Sequence, residues 1–111
     1  MYNQKEIVLI PFPYSDLTGF KKRPALILSN SKLNKTEDRI CCLITSQKTK
    51  QGISINKKSI EFGKLPFKSW VKPHRVFTIN EKIIIKNICK INANFHNKII
   101  SELGIYIENA E

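Results

Sequence analysis

Arg23 stands directly before Pro24 and an apolar run, within the segment FKKRPALILSN at residues 20–30. The chain has sixteen lysines and only three arginines, so arginine is not its default surface cation. A guanidinium group is a planar fork that matches phosphate oxygens, which lysine cannot copy. The following proline restricts Arg23 to extended backbone, and the buried strand behind it is stiff. This arrangement predicts that Arg23 stabilises charge on a phosphoryl group; an ordinary exposed arginine at a strand start is the alternative.

A second polar cluster, Thr45-Ser46-Gln47, follows the next buried strand and is itself followed by Lys48 and Lys50. Hydroxyl and amide groups beside cations suit contacts to phosphates and to base edges. The alternative interpretation is that these residues only cap a turn.

The two histidines differ in their surroundings. His74 lies in KPHR, between Lys72 and Arg75, and a neutral imidazole in a basic groove could accept a proton; an ordinary exposed histidine is the alternative. His96 falls one residue into the predicted C-terminal helix, where we expect it to be exposed.

The charge of the chain is unevenly distributed. Residues 21–98 carry eighteen cations and four acids, whereas residues 1–20 and 99–111 are slightly acidic. Such a balance favours a polyanionic partner, either nucleic acid or an acidic protein. A proteome in which lysine is the common surface residue would produce the same excess.

Cysteine spacing argues against a disulfide framework and against a metal site. Cys41 and Cys42 are adjacent and Cys89 is isolated, with no C-x-x-C or paired His–Cys spacing. We therefore predict three free thiols, no metal and no cofactor. With 111 residues and no apolar run long enough for a membrane span, we expect a single domain over 1–111, no membrane partner and a cytoplasmic location.

The pattern of apolar runs and turn residues predicts mostly short strands. Strands are expected at residues 6–10, 24–29, 39–45, 69–79 and 83–91, with Pro73 marking an edge or a bend. Residues 14–22 predict a mobile loop, residues 30–38 a polar connection with a helical turn, and residues 53–62 a hairpin that turns near Asn56-Lys57. From Asn94 as N-cap, an i, i+4, i+8 pattern predicts one amphipathic helix. The fold class is therefore mainly β (α+β), a small barrel closed by a C-terminal helix.

Taken together, three segments make the chain resemble the MazF/PemK family of toxins from bacterial toxin–antitoxin pairs. They are EIVLIPFPYSDLTGFKKRPALILSN, CLITSQ and SWVKPHRVFTINEKIIIKNICKI, which span most of residues 6–91. The resemblance implies an SH3-like barrel that forms a homodimer and cleaves single-stranded RNA, such as mRNA, without a metal. It also implies a cognate acidic antitoxin as inhibitor.

The same resemblance implies roles for individual residues. The family's catalytic arginine and threonine fall on Arg23 and Thr45, and His74 falls where some members carry an acid, which makes it a candidate proton shuttle. The implied chemistry is attack of the RNA 2′-hydroxyl on its own phosphorus, leaving a 2′,3′-cyclic phosphate and a 5′-hydroxyl. The residues expected to bind RNA are Lys21, Lys22, Ser46, Gln47, Lys48, Lys72 and Arg75.

Two other functions remain compatible with the sequence. A toxin of the same fold could poison a protein such as DNA gyrase, although it would have no need of the Arg23/Thr45 pair. A catalytically inactive nucleic-acid-binding module would bind RNA without turnover.

Overall fold

The computed structural model describes residues 1–13 and 19–111, and within them seven strands form one antiparallel sheet that is followed by a C-terminal helix. The strands are β1 (Glu6–Pro13), β2 (Phe20–Ile27), β3 (Asp38–Thr45), β4 (Ile53–Ile55), β5 (Ile60–Gly63), β6 (Ser69–Asn80) and β7 (Lys86–Ile91). The α-helices are α1 (Ser31–Asn34) and α2 (Ala93–Ile107), and the 3₁₀ helices are Lys57–Ser59 and Glu81–Ile83. The helical turn expected in the polar connection is α1.

The sheet curls into a nearly closed barrel. Its hydrogen-bonded order is β4-β6-β3-β2-β1-β7-β5, so β4 and β5 are the two outermost strands. These strands also follow one another in the chain, joined by the 3₁₀ helix Lys57–Ser59. The opening between β4 and β5, which we call the seam, is thus bridged by a single helical turn. The expected mainly-β barrel with a C-terminal helix is confirmed.

The hairpin predicted over residues 53–62 is wrong. Ile53 of β4 lies opposite Val71 of β6, whereas Ile60 of β5 lies opposite Ile91 of β7. The turn signal itself is real, because the Asn56 side chain accepts a hydrogen bond from the Lys58 backbone N–H and caps the 3₁₀ helix. The turn carries the chain across the seam instead of folding it back on itself.

Strand β2 begins earlier than the sequence predicts and includes Lys21 and Lys22. Lys22 lies opposite Pro11 in an antiparallel register with β1, so both lysines belong to the sheet and not to the predicted loop over residues 14–22. Residues 14–18 of that loop lie outside the described residues. Because successive side chains of a strand alternate between faces, Lys21 and Arg23 share one face and Lys22 points to the other.

Strand β6 carries a bulge at Pro73. Cys42 of β3 lies opposite Val76, but its neighbour Leu43 lies opposite Lys72. Residues 73–75 therefore have no counterpart on β3 and bend the strand. The predicted bend is confirmed, and β6 is an inner strand between β4 and β3, not an edge. Strand β7 begins at Lys86, three residues later than predicted, because Ile83 ends the second 3₁₀ helix and residues 84–85 connect that helix to the strand.

Alternation along β3 divides the apolar core between two faces of the sheet. Cys42 packs in one cluster with residues of α2 such as Phe95, while Cys41 packs in another with Val8 on β1. All three cysteines are free, as predicted, and all three are buried. Burial raises the pKa of Cys41 to about 12 and that of Cys89 to about 11. The thiols are therefore inert core groups at neutral pH.

Helix α2 covers the core with a face slightly rotated from the one predicted. Asn92, not Asn94, is the N-cap, and its side chain accepts a hydrogen bond from the Phe95 N–H at 2.8 Å. His96 is only 7% exposed, so the expectation that it is exposed is wrong. It lies on the buried face because Phe95 and Ile99 flank the centre of that face. Burial, followed by the positive charge of Lys5, lowers the pKa of His96.

Arg39 is a completely buried cation that holds three segments together. Its guanidinium donates hydrogen bonds to the backbone oxygens of Tyr2, Thr36 and Asp38 at 2.8–2.9 Å, and to Glu81 Oε1 at 3.0 Å. The charge is compensated by the carboxylate and the donors are occupied by oxygen acceptors. This arginine is structural, which leaves Arg23 and Arg75 with accessible guanidinium groups.

Candidate active site

A cavity of about 480 Å³ opens where β2 and β3 meet the segment between β5 and β6. Apolar, polar and cationic residues line it, and no histidine or acidic residue does so within the described part of the chain. The lining residues that matter below are Lys21, Lys22, Arg23, Thr45, Phe67 and Lys72.

Arg23 and Thr45 face each other across two neighbouring strands. Ala25 lies opposite Leu43 in the β2–β3 register. Continuing that antiparallel register by two residues places Thr45 opposite Arg23, on the same face of the sheet. Both residues are half-buried and both line the cavity. Arg23 and Thr45 thus line one small volume from adjacent strands.

Aromatic rings support the Arg23 side chain. Its guanidinium carbon lies 5.9 Å from the centroid of the Phe12 ring, within the range of a cation–π contact. Phe12 in turn meets Phe77 of β6 edge to face, with 5.6 Å between ring centroids. Pro24 restricts the backbone from the other side. The guanidinium is therefore supported by the Phe12 ring, a contact that uses none of its N–H donors.

The Thr45 hydroxyl has a defined orientation. Its oxygen accepts a hydrogen bond from the Gln47 backbone N–H at 3.1 Å, closing a short turn at the end of β3. A hydroxyl that accepts from one side keeps its own proton for another partner. The turn-capping role and the ligand-binding role considered for this cluster therefore coexist in one side chain.

Cations surround this pair. Lys21 and Lys22 line the cavity from β2, and Lys72 lines it from β6. Together with Arg23 they contribute four cationic residues to the lining, Lys22 from the opposite face of β2 to Lys21 and Arg23. Such a concentration of cations attracts polyanions.

The structure brings most of the sequence-predicted residues together. Besides Arg23, Thr45 and the three lysines, the lining includes Ser46 and Gln47. Lys48 is exposed on the segment after β3 and does not line the cavity. His74 and Arg75 lie in the β6 bulge outside the lining, and the His74 ring lies 6.1 Å from the Tyr106 ring of α2. The proposed proton shuttle is thus not part of this cavity.

Sequence reasoning overlooked the segment Leu65-Pro66-Phe67, which forms one wall of the cavity. Phe67 is 73% exposed although it is a large apolar residue. The sequence offered one sign of this wall: the apolar triplet LPF stands between two lysines, in a stretch without strand periodicity.

Two kinds of feature were not found in the described residues. No three His, Cys, Asp or Glu side chains group so as to hold a metal ion. Among the described helices, none is long and apolar enough to cross a membrane.

The fold and the cavity define a small β-barrel protein with a cationic site suited to anions. Residues 3–107 match the family model described as PemK-like, MazF-like toxin of type II toxin-antitoxin system, and the chain belongs to this family. No curated protein matches the sequence.

Solved structures share the fold at low sequence identity. An endoribonuclease in complex with its cognate antitoxin from a mycobacterial species superposes with a TM-score of 0.79 and 15% identity, covering 100% of this chain and 99% of that one. A MazE–MazF structure from Deinococcus radiodurans gives a TM-score of 0.78 at 17% identity, with 98% of each chain covered. The Mycobacterium tuberculosis toxin MazF-mt6 gives 0.72 at 16% identity, over 96% of this chain and 99% of that one.

Proposed function

We propose that this protein is a sequence-specific endoribonuclease toxin that cleaves single-stranded RNA without a metal ion. The observation that carries the proposal is the convergence of Arg23 and Thr45, from adjacent strands, on one cavity with three lysines. Membership of the MazF/PemK family supports it. The lysines bind the RNA backbone, and the arginine and threonine act on the reacting phosphate.

The proposed reaction is an internal transfer. The RNA 2′-oxygen attacks the adjacent phosphorus, a P–O2′ bond forms, and the P–O5′ bond breaks. The 2′-hydroxyl loses its proton and the departing 5′-oxygen gains one, so the reaction consumes no net proton and needs no co-reactant. The products are a 2′,3′-cyclic phosphate and a 5′-hydroxyl.

Arg23 and Thr45 contribute by stabilising charge. Negative charge grows on the phosphate oxygens in the transition state, and donors already fixed around that position stabilise it without reorganising. Arg23 supplies a charged planar donor supported by Phe12, and Thr45 supplies the hydroxyl proton that its bond with Gln47 leaves available. Each such donor is worth about 10²- to 10³-fold in rate.

We further propose that the toxin works in the cytoplasm as a homodimer neutralised by a cognate acidic antitoxin. Solved structures of the same fold include an endoribonuclease in complex with its cognate antitoxin and a MazE–MazF structure, and the excess of cations on this chain gives an acidic partner a matching surface. Under this proposal the antitoxin and RNA compete for one basic surface.

The decisive experiment is incubation of the purified protein with a long mixed-sequence single-stranded RNA in the presence of EDTA, with mapping of the cleaved ends. We expect discrete cuts bearing 2′,3′-cyclic phosphate ends, undiminished by EDTA. Arg23→Ala is expected to lower the cleavage rate at least about 100-fold. Lys98→Ala, which removes one exposed charge on α2, is the matched control and should cleave normally.

Other outcomes would select the alternative functions. RNA binding that weakens with salt but yields no cuts would indicate an inactive binding module. Inhibition of DNA supercoiling by gyrase without RNA cleavage would indicate a toxin of the same fold with a protein target. Cleavage that survives Arg23→Ala unchanged would contradict the proposed site.

A further inference from the structure

Phe67 is a large aromatic side chain that the chain leaves in solvent at the rim of the cationic cavity. It is 73% exposed, and it lines the same cavity as Arg23 and Thr45. Isolated exposed apolar residues are common on protein surfaces. This one differs because four other residues of the cavity lining are cations, so the site pairs an accessible π-face with groups that bind anions.

The backbone that carries Phe67 is anchored on both sides. Leu65 is half-buried and packs against the main core cluster. On the other side, Ser69 is buried at the start of β6, and its hydroxyl donates a hydrogen bond to the Phe67 backbone oxygen at 2.9 Å. Pro66 further restricts the chain between them. The ring is therefore presented from a fixed position.

The neighbouring charges indicate what kind of partner the ring meets. Proteins that bind single-stranded nucleic acid combine cations along the backbone with aromatic side chains on which bases stack. Lys21, Lys22 and Lys72 supply the first component and Phe67 supplies the second. Apolar residues also line the cavity, but a protein that buried an apolar anchor there would have to desolvate the four cations, which a polyanion instead neutralises.

We propose that Phe67 is a stacking platform for a nucleobase next to the scissile phosphate. This inference rests on the proposed endoribonuclease function and deepens it. Stacking is tolerant of base identity because every base has a π-face. Phe67 therefore contributes to RNA affinity and to the position of the phosphate, while the identity of the base is read by other groups.

The test measures binding, so that it does not depend on catalysis. The probe is a short fluorescent single-stranded RNA spanning the mapped cleavage site, with a 2′-deoxynucleotide at the reacting position to prevent cleavage. Its affinity is measured by anisotropy for the wild type, Phe67→Ala and Phe67→Trp. Phe62→Ala is the matched control, because Phe62 is 67% exposed on β5 and lines a separate groove beside Lys90.

We expect Phe67→Ala to weaken binding by about 5- to 100-fold, the range for loss of one base–aromatic stack. Phe67→Trp and Phe62→Ala should stay within about twofold of the wild type. The second arm removes single bases from the probe. One abasic position beside the blocked phosphate should weaken wild-type binding by a similar factor and should have no further effect on Phe67→Ala, because both changes remove the same contact.

The outcomes separate this inference from the proposed function. Arg23-dependent cleavage together with unchanged affinity of Phe67→Ala, or with abasic losses equal in both proteins, overturns the stacking platform alone. Absence of both cleavage and RNA binding by the wild type overturns both proposals. If Phe67→Ala binds RNA normally but resists the antitoxin, the ring contacts protein and the inference is wrong. Thermal unfolding within a few degrees of the wild type confirms that the exposed substitution is folded.

Discussion

The Thr45 hydroxyl makes two contributions that a single isosteric substitution can separate. Thr45→Val removes the oxygen and keeps the shape of the side chain. In the folded protein it deletes the 3.1 Å hydrogen bond from the Gln47 N–H, and Gln47 is exposed, so water can replace the lost acceptor. The free energy of unfolding should therefore fall by about 1 kcal/mol or less, which lowers the melting temperature by a few degrees.

The effect on catalysis is expected to be much larger. Thr45 lines the same cavity as Arg23, and loss of one fixed donor to a transition-state oxyanion lowers kcat about 10²- to 10³-fold. This corresponds to about 2.7–4 kcal/mol of transition-state stabilisation, well above the loss of folding stability. Thr45→Ser keeps the hydroxyl and should retain most of the activity.

Single-turnover cleavage of an RNA carrying one mapped site, with enzyme in excess, measures the chemical step directly. Thermal unfolding of the same protein samples measures the structural cost. A Thr45→Val enzyme that cleaves within about threefold of the wild-type rate would refute the assigned role. The reasoning would also fail if folded Thr45→Ser were as impaired as Thr45→Val, because the side-chain shape and not the hydroxyl would then matter.

Four further predictions follow from other parts of the structure. Arg39→Ala should lower the free energy of unfolding by about 3–5 kcal/mol in thermal or denaturant unfolding, since it breaks a buried ion pair. Lys82→Ala breaks an exposed ion pair and should lower it by less than about 1 kcal/mol. Lys72→Ala should reduce the salt-dependence slope of RNA binding by about 0.7; an unchanged slope would remove Lys72 from the interface. The pKa of His96 is lowered in the folded protein, so on acidification the unfolded chain binds a proton first. The free energy of unfolding should therefore fall as the pH drops below about 6.5, by at most about 1.4 kcal/mol per pH unit. The variant His96→Gln should lose this pH dependence. His74→Ala should leave the pH dependence of the cleavage rate unaltered, because the ring lies against Tyr106 outside the cavity lining. If the variant instead lost the rise or the fall of the rate with pH, His74 would be a proton shuttle.

The strands that carry the site could be recognised from local sequence. Arg23-Pro24 before one buried run and Thr45 at the end of another were readable because apolar runs and polar ends are local signals. The resemblance implied that these two residues act together, but their placement on adjacent strands was not predicted, because neither segment alone indicates which strands pair.

Other features were missed for equally specific reasons. The segment at residues 53–62 has the alternation of a hairpin, but its two strands pair with β6 and β7 at opposite ends of the sheet, and these long-range partners cannot be read from the segment itself. His96 is buried because the side of α2 that faces the core is rotated by about one residue from the apolar face predicted from the sequence. Phe67 lies in a segment without periodicity, and only the three-dimensional cavity reveals what it adjoins.

The seam of the barrel has a consequence for solubility. An unpaired strand edge can recruit a strand from another molecule and start aggregation. At the seam the exposed edges are only three and four residues long, and the connection between them carries two exposed lysines, Lys57 and Lys58. Short, charged edges give an incoming chain few backbone groups to pair with, so the barrel can stay open without becoming a template for fibrils.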